Sequence, residues 1–483
     1  MKIIKKGLCT LLITLLIIGI TGCGKENSGG KSVSSESGEI ALRILENDTA
    51  KSEGYLDELL NAFNEAFKDK GIKAVDANME EYSNLAENGP YGYGPDVLYQ
   101  ANDLLMSYAQ DKHILAIDKS DYECAKNTPQ EAWDAFTLTV DGNQYICGIP
   151  VNVQEPMLFY RKDLLPDDWE KTWDDDGNGI PDFLESWSSL YRYSSQIVSE
   201  SGGKKFGLVA PCNDLYMMAE FIFSYGGYVF GKTDNGEVDT KDIGFAKDDC
   251  AKGILALRQF AGVMNEECID DSIKQSRYSK VANGTYFCSV STPDTYVLFR
   301  DRLAECYRAE GLSESEAEKK ADENLGMTEL PRSMPKDGNL ESNDNQLDSI
   351  VMGGVNGYGI SAYTEHKEAC IEFVNFATSY EMIRERAEAL GIAPTRSDVS
   401  NDIGGVTGMI FESLSKGNIY LMPSVKAVDQ IWDPMQTLLG DVAKDAFREK
   451  KGEKIKYKDE ASVQEALDKA SSNIYDAIFS LAK

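Results

Sequence analysis

Residues 174–185 form an acidic stretch whose residue types and spacing suit a metal ion. The sequence DDDGNGIPDFLE places oxygen-bearing side chains at loop positions 1, 3, 5, 9 and 12, and a glycine at position 6. This is the pattern of a calcium-binding EF-hand loop, in which the backbone turns sharply at position 6 and offers a carbonyl oxygen at position 7. We therefore predict a structural Ca²⁺ site. Its expected ligands are Asp174, Asp176, Asn178, Ile180, Asp182 and Glu185.

The alternative interpretation of this stretch is an acidic turn that only caps the helix after it. Acidic side chains stabilise the N-terminal end of a helix without any metal ion. Pro181 stands at loop position 8, where paired EF-hands use a β-forming residue. This departure favours a single structural loop over a pair of calcium sensors.

Signs of catalysis are weak elsewhere in the chain. His113 and His366 are the two histidines, and neither lies near a nucleophile motif. The sequence contains no GxSxG, HExxH or Walker pattern. A pair of carboxylates that hydrolyses glycosides stays open as an alternative, because the chain has 80 acidic residues from which to draw one. We expect a binding protein rather than an enzyme.

The N-terminal segment predicts export and lipid anchoring. Three lysines precede a 13-residue apolar stretch at 8–20, which fits a secretory signal and is short for a membrane-spanning helix. The stretch leads into Ile20-Thr21-Gly22-Cys23, which is similar to the lipobox of bacterial lipoproteins. This similarity implies removal of residues 1–22 and lipidation of Cys23 on the outer face of the cell membrane. Residues 23–38 have the composition of a flexible tether.

Net charge and length limit the possible partners. With 80 acidic and 49 basic residues, the formal charge of the 483-residue chain is −31. Such a surface repels nucleic acid and anionic membranes, so we expect neither as a partner beyond the lipid anchor itself. The length suggests two or three domains, or one large two-lobed unit.

Eight cysteines remain once Cys9 and Cys23 are set aside. They are widely scattered and include no CxxC pair, which makes a zinc site improbable. An even number in an exported protein permits disulfides. The chain is large enough to fold without them, so buried thiols are an equal alternative.

The hydrophobic pattern predicts an α/β fold. Strand-like segments at 39–45, 72–77 and 96–99 alternate with helical ones, which indicates parallel βαβ units. Ligands of such sheets meet the loops at the carboxyl ends of the strands, here residues 46–48 and 100–103. A hairpin is expected over 137–151, and residues 308–349 are expected to be loop-like after a helical start.

The order of several short motifs resembles the extracellular solute-binding proteins of ABC sugar importers, in particular the maltose/maltodextrin-binding group. The resemblance covers roughly residues 39–440. The motifs are GPDVLY at 94–99, GIP at 148–150, FYRKDLLP at 159–166, KTW at 171–173, GGYVF at 226–230, NG at 283–284, LP at 330–331 and MP at 422–423.

This resemblance implies a two-lobed periplasmic-binding-protein-like fold of type II, with doubly wound sheets, a hinge and a ligand cleft between the lobes. Lobe 1 would comprise residues 39–152 and 357–395. Lobe 2 would comprise residues 153–356 and 396–483, with the acidic loop 174–185 inserted after the KTW motif. The implied ligand is an oligosaccharide that the protein delivers to the transmembrane subunits of an ABC permease.

The resemblance also implies which side chains contact the sugar. Carboxylates would accept hydroxyl protons and aromatic rings would stack on the sugar faces, a combination that suits oligosaccharides. Asp103 could instead only cap a helix, and Tyr216 and Trp432 could belong to the core. The expected ligand-binding residues are Asn47, Asp48, Asp103, Glu155, Asp214, Tyr216 and Trp432.

Two departures from the maltose-binding group leave the identity of the sugar open. Gln100 stands where that group tends to have a tryptophan, and Thr292-Pro293-Asp294 stands where it has Gly-Pro-Trp. Both changes remove ring surface from the cleft. Two alternatives to a transport receptor also remain: a surface enzyme that acts on glycans, and a calcium-stabilised surface protein without a transported ligand.

Overall fold

The computed structural model describes residues 39–247, 249–423 and 425–480, so the predicted signal segment, Cys23 and the tether lie outside the described part. Its strands, in chain order, are β1 (Ile40–Leu45), β2 (Ile72–Asp76), β3 (Val97–Ala101), β4 (Thr137–Val140), β5 (Asn143–Ile146), β6 (Ile149–Gln154), β7 (Met157–Arg161), β8 (Phe206–Val209), β9 (Phe230–Lys232), β10 (Val238–Ile243), β11 (Tyr286–Ser291), β12 (Leu325–Glu329), β13 (Ser333–Pro335), β14 (Gln346–Asp348), β15 (Val351–Ile360), β16 (Ala393–Pro394) and β17 (Ile419–Leu421).

The α-helices, in chain order, are α1 (Asp48–Ser52), α2 (Tyr55–Phe67), α3 (Leu85–Asn88), α4 (Asn102–Gln110), α5 (Gln130–Asp134), α6 (Trp169–Thr172), α7 (Trp187–Glu200), α8 (Leu215–Met218), α9 (Glu220–Phe223), α10 (Cys250–Ala261), α11 (Ile273–Ala282), α12 (Tyr296–Ala309), α13 (Glu314–Asn324), α14 (Lys367–Ala377), α15 (Tyr380–Leu390), α16 (Ser397–Ile403), α17 (Gly405–Lys416), α18 (Trp432–Lys450) and α19 (Glu460–Ser480). Short 3₁₀ turns join several of them.

The first sheet organises lobe 1. Its strands lie in the order β16-β6-β15-β3-β1-β2, and β17 pairs with the start of β15. β1 runs parallel to both β2 and β3, which confirms the predicted βαβ start, whereas β15 runs antiparallel to β3 and β6. Helix α2 buries one apolar side, including Leu59 and Phe63, and the chain then turns through Gly71 at φ +67°. Glycine suits this turn because it adopts the left-handed backbone conformation without strain.

The second sheet organises lobe 2, with its strands in the order β12-β7-β11-β8. The expectation of loop beyond the helical start of residues 308–349 is wrong for 325–329, which form β12. The sequence LGMTE gives little strand signal, but pairing with β7 buries four of its five residues. Tertiary pairing therefore overrides the weak local propensity. The predicted hairpin is present as β4 and β5. Its second strand ends at Ile146, however, and the separate strand β6 begins at Ile149.

The chain enters or leaves the first sheet toward lobe 2 at three places. Glu155 and Pro156 alone separate β6 in the first sheet from β7 in the second. The second passage leads from β14, which pairs with β13 in a separate two-stranded sheet, into β15, and the third leaves the first sheet after β17. The positions of these passages match a hinge between two lobes.

No disulfide joins the eight cysteines of the described residues, which remain as thiols, seven of them buried. Burial raises the pKa of several of them, for example that of Cys147 to about 11. Within the same part of the chain, no helix combines the length and apolar character needed to cross a membrane.

A buried ion pair lies at the centre of lobe 1. Arg386 on α15 donates from both terminal nitrogens to the two carboxylate oxygens of Glu46, at 2.8 and 2.9 Å. Both side chains are at most 1% exposed. Tyr358 on β15 donates to Glu46, and the guanidinium of Arg386 lies 3.9 Å from the ring centre of Tyr99 on β3. This cluster joins three strands and one helix beneath the carboxyl ends of β1 and β3.

Replacing Arg386 by methionine should destabilise the protein strongly. The change leaves the Glu46 carboxylate buried without its cation, which typically lowers the free energy of unfolding by about 3–5 kcal/mol. The matched control is Arg384→Met on the same helix, where the pair with Glu388 is about half exposed and should contribute about 0.5 kcal/mol or less. Urea unfolding measures both, and equal midpoints for the two variants would contradict the assigned role of Arg386.

Candidate functional site

A cavity lies at the carboxyl ends of β1 and β3, and residues of both lobes line it. The first sheet supplies its floor, and the turn after β11 closes it from lobe 2. The lining residues are Asn47, Thr49, Glu81, Tyr82, Tyr99, Gln100, Ala101, Asn152, Val153, Gln154, Pro293, Asp294, Asn356, Leu390 and Ile392. The position agrees with the predicted ligand edge of an α/β sheet.

Side-chain amides dominate the floor of the cavity. Asn152 and Gln154 project from β6, and Asn356 of the neighbouring strand β15 stands directly opposite Asn152. The Nδ2 of Asn356 donates to the Oε1 of Gln154 at 3.3 Å, while its own Oδ1 is buried without a protein partner. A buried unpartnered acceptor in a cavity is suited to the hydroxyl of a ligand.

The buried cluster of lobe 1 fixes this floor from below. Tyr99 lies against the Arg386 guanidinium, and its hydroxyl donates to the Oδ1 of Asn152. Because that oxygen is occupied, the Nδ2 of Asn152 is the group left to donate, and among the described residues it reaches only the carbonyl of Val153, at 3.4 Å. The floor therefore offers both donors and acceptors, and its charge is neutral.

Two carboxylates, of Glu81 and Asp294, and the exposed ring of Tyr82 line the cavity beside its amide floor. Tyr82 is 75% exposed there. Partial desolvation, followed by the negative charges of Glu81, Asp294 and Asp103, raises the pKa of Tyr82 to about 12. Burial raises the pKa of Tyr216 in lobe 2 further, with Asp294 and Asp103 contributing again. Asp103 of lobe 1 and Asp294 of lobe 2 thus act on the same two phenols, one from each lobe.

Three of the expected sugar contacts in lobe 1 occupy different surroundings. Asn47 lines the cavity, and its side chain also accepts the N–H of Ala50 at 2.8 Å as a helix cap. Asp48 is exposed and lies 3.8 Å from Lys51, outside the cavity. Asp103 lies in the first turn of α4, half-buried, and accepts the N–H of Leu104; the cap position itself is Ala101.

Tyr216 and Asp214 lie together at the start of α8. Tyr216 donates its hydroxyl to the carbonyl of Gln154 at 3.3 Å, directly behind the cavity floor. Asp214 caps α8 and forms a 3.0 Å ion pair with Lys274. The structure therefore brings Tyr216 to the cleft region and engages Asp214 within lobe 2.

Glu155 and Trp432 do not line the cavity. Glu155 is 2% exposed, and the preceding residue Gln154 takes the place in the cavity floor. Successive strand residues face opposite sides, so a shift of one position exchanges the cleft side for the buried side. Trp432 packs half-buried against the lobe 2 core. Contact of these two residues with sugar stays a prediction that the geometry does not favour.

Several lining residues were missed at the level of sequence. Asn152 and Gln154 alternate with Val151 and Val153, and two polar residues on one side of an apolar strand are a usable signal. Asn356 stands in a glycine-rich strand that gives no such signal. Gln100 and Asp294, predicted as departures from the maltose-binding group, both line the cavity.

The acidic loop 174–185 has the turn that an EF-hand loop needs, with Gly179 at φ +80°. The backbone N–H of Asn178 lies 3.0 Å from Asp174 Oδ1 and 3.1 Å from Asp176 Oδ1, while the Asn178 side chain donates to Glu185 at 2.7 Å. Loop positions 1, 3, 5 and 12 therefore lie close together. Within the described chain, however, no three His, Cys, Asp or Glu side chains converge closely enough to hold a metal ion.

The remaining expected calcium ligands lie on the same loop. Asp182 accepts the N–H of Asp175 at 3.1 Å, and Ile180 donates its N–H to Asn178 Oδ1 at 2.8 Å. The donor set of carboxylate, amide and carbonyl oxygens fits Ca²⁺. Binding would require Asp174 and Asp176 to turn from the backbone N–H groups toward the ion.

Comparison with known proteins identifies related sequences. Residues 58–406 match the family described as bacterial extracellular solute-binding protein. The galactooligosaccharide-binding protein of Bacillus subtilis (strain 168) is 25% identical over 453 residues, which covers 92% of this chain and 93% of that protein. The maltodextrin-binding protein MdxE of the same organism is 30% identical over 282 residues, or 57% of this chain and 61% of that protein.

Solved structures share the fold. The maltose-binding periplasmic protein MalE from Listeria monocytogenes, in complex with maltose, matches with a TM-score of 0.68 at 19% identity and covers 92% of this chain and 99% of that one. MalX from Streptococcus pneumoniae, in complex with maltopentaose, matches with a TM-score of 0.65 at 19% identity, with coverages of 90% and 100%. These similarities confirm the predicted two-lobed type II fold.

Proposed function

Because this chain belongs to the family of bacterial extracellular solute-binding proteins, we propose that it is the substrate-binding component of an ABC importer. It binds an oligosaccharide in the cavity between its lobes and delivers the sugar to the transmembrane subunits of a permease. The observation that carries this proposal is the amide floor of that cavity, which combines Asn152, Gln154 and Asn356 with residues of the opposite lobe.

The chemistry of the cavity supports a neutral, hydroxyl-rich ligand. Amides donate and accept at once, as sugar hydroxyls do, so each can satisfy a hydroxyl without burying a charge. The relatives with named ligands bind galactooligosaccharides and maltodextrins. Gln100 and Asp294 stand where the maltose-binding group has aromatic residues, so Tyr82 is the exposed ring among the lining residues. Compared with that group, stacking contributes less to sugar binding here and hydrogen bonding contributes more.

Binding closes the lobes by a shift of populations. A sugar that contacts lobe 1 through the amide floor and lobe 2 through the turn at Pro293 and Asp294 binds the closed state better than the open one. The short passages between the sheets allow this motion as a hinge. The family is one of binding proteins, so we propose a receptor that releases its ligand unchanged and not a glycan hydrolase.

The first prediction is that oligosaccharides raise the melting temperature of the purified protein. A panel of maltodextrins, galactooligosaccharides and amino acids is used in thermal scans, where a sugar at 100 times its Kd adds about 2.7 kcal/mol of stability. Gln154→Ala should weaken the Kd of the active sugar about 3- to 10-fold, because a hydrogen bond is lost. Gln196→Ala, on the exposed side of α7, is the control and should leave the Kd unchanged.

Other outcomes of the panel separate the alternative functions. Release of shorter sugars from a bound oligosaccharide would favour the surface enzyme. A complete lack of response to every solute would favour a surface protein without a transported ligand. Equal Kd values for Gln154→Ala and the unchanged protein would place the ligand elsewhere.

We propose that Cys23 carries the lipid that holds the receptor on the outer face of the cell membrane. The lipobox-like segment 20–23 and the polar tether after it support this location. Cys23→Ser should move the protein from the membrane fraction to the medium or to the uncleaved precursor, as measured by immunoblot of fractionated cells. Cys9→Ser, within the apolar segment, is the control and should not change the distribution. Retention of mature Cys23→Ser protein in the membrane would contradict the anchor.

We also propose that residues 174–185 bind a structural Ca²⁺ ion. Extracellular calcium modules work with Kd values of about 10⁻⁴–10⁻³ M. Calcium at ten times the Kd should stabilise the protein by about 1.4 kcal/mol, and EDTA should reverse the effect. Glu185→Gln should abolish it, whereas Asp175→Asn, at the non-liganding position 2, should not. A calcium-independent melting temperature of protein shown to start calcium-loaded would contradict the site.

A further inference from the structure

Three buried glutamates meet where the chain first passes between the lobes. Glu155, Glu220 and Glu329 are 2%, 1% and 5% exposed. The positive charge facing them is Arg332, whose Nε and terminal nitrogen donate to Glu329 at 2.9 and 2.8 Å. Ser413 donates to the other oxygen of Glu329 at 2.6 Å. Glu329 is therefore fully engaged, and among the described residues neither of the other two carboxyls forms an ion pair.

Among the described residues, the carboxyl groups of Glu155 and Glu220 hold buried oxygens without a direct hydrogen-bond partner, and the Ser349 hydroxyl and Trp187 indole face Glu220. These atoms are the Oε2 of Glu155 and both oxygens of Glu220. Burial, and then the nearby Glu329, raises the pKa of Glu220 to about 8. Burial, followed by the charges of Glu329 and Glu220, raises the pKa of Glu155 well above its ordinary value, although Arg332 opposes the shift. Both carboxyls therefore favour the protonated form more strongly than an exposed glutamate does.

The position of Glu155 connects this cluster to the ligand cavity. Glu155 and Pro156 are the whole connection between β6 and β7. The preceding residue, Gln154, lines the cavity, accepts from Asn356 through its side chain and accepts from Tyr216 through its carbonyl. Any rotation of the backbone at Glu155 therefore moves Gln154 and breaks these contacts.

We propose that Glu155 is a proton-dependent positioning residue, which in its protonated form holds Gln154 and the cavity floor in the arrangement that binds sugar. This inference rests on the proposed binding of sugar in the cavity. An ionised Glu155 faces Glu220 of α9, Glu329 of β12 and the phenol of Tyr216 of α8, while the nearby Arg332 is already engaged. The charge would therefore be driven toward water, and the cavity lined by the preceding residue, Gln154, is an opening next to it in the chain.

The sign of the effect follows from the direction of the proton linkage. The binding arrangement holds a proton on Glu155 that the rearranged state releases, so binding is strongest below the raised pKa and weakens as the pH rises through it. For linkage to one proton, the Kd rises by at most about tenfold for each pH unit above that value. The phenols of Tyr82 and Tyr216 do not account for such a change, because their own pKa values are raised, that of Tyr82 to about 12.

The test compares the unchanged protein with Glu155→Gln, in which a neutral amide replaces the protonated acid. Isothermal titration with maltotetraose and with a galactotetraose is carried out at pH 6, 7, 8, 9 and 10. We expect the Kd of the unchanged protein to rise at the alkaline end and that of Glu155→Gln to stay constant, with similar values for both at pH 6. An alkaline rise that persists in Glu155→Gln, or a constant Kd in the unchanged protein, would overturn the inference.

A second variant distinguishes positioning from a loss of folding. Glu220→Gln removes a neighbour that becomes negative at alkaline pH, so the pKa of Glu155 should fall and the alkaline rise in Kd should begin at a lower pH. An unaltered profile in this variant would contradict the coupling of the two carboxyls. Circular dichroism and melting curves at pH 7 verify that each variant is folded.

A measurement without sugar keeps this inference separate from the proposed function. If neither tetrasaccharide binds at any pH, the sugar specificity proposed above fails, but rearrangement of the hinge can still be observed by small-angle scattering. We expect the radius of gyration of the unchanged protein to increase from pH 7 to pH 10 and that of Glu155→Gln to stay constant. A pH-independent radius in the unchanged protein would overturn the role of Glu155 even then.

Discussion

The buried pair between Glu46 and Arg386 is the interaction on which the ligand side of lobe 1 depends. Arg386 comes from α15, late in the chain, whereas Glu46 directly follows the first strand, so the pair joins segments 340 residues apart. A guanidinium in a dry interior is tolerated only with near-complete compensation, which fixes the position of every group around it. Tyr358 and Tyr99 supply that compensation, and Tyr99 in turn orients Asn152. The geometry of the cavity floor is thus a consequence of satisfying one buried charge.

The alternation of side chains along a β-strand, which repeats every two residues, determines which residues of β6 reach the cavity. In β6 the alternation of side chains places Asn152 and Gln154 on one side of the strand and Val151 and Val153 on the other, although Val153 also borders the cavity. Glu155 comes one step later and is therefore buried behind the floor. The strand ends there because the following proline cannot donate to a ladder. The passage between the lobes is consequently as short as a chain allows, so the cavity floor and the hinge share neighbouring residues.

Much of the fold could be predicted from the sequence, because its signals are local. The alternation in β1, the apolar side of α2 and the glycine that ends it gave the βαβ start of lobe 1. The strand β12 could not be found, because its five residues become a strand only by pairing with β7. The cavity was located by the rule for carboxyl ends of strands, yet individual contacts were not, since Asn356 and Leu390 reach it through tertiary packing alone.

The acidic residues of the chain occupy three different environments, and each environment gives the carboxyl group a different role. On the surface, water and salt screen the excess of 80 acidic over 49 basic residues, and this excess says nothing about the ligand. In lobe 1, Glu46 is balanced by a cation and cannot move without breaking the core. At the passage between the lobes, Glu155 and Glu220 form no ion pair among the described residues, and burial raises the pKa of both, which favours their neutral form. Arg386 holds the carboxylate of Glu46 in place as a fixed support of the core. A proton on Glu155 can instead dissociate. Because Glu155 adjoins the hinge, the hinge can respond to its surroundings.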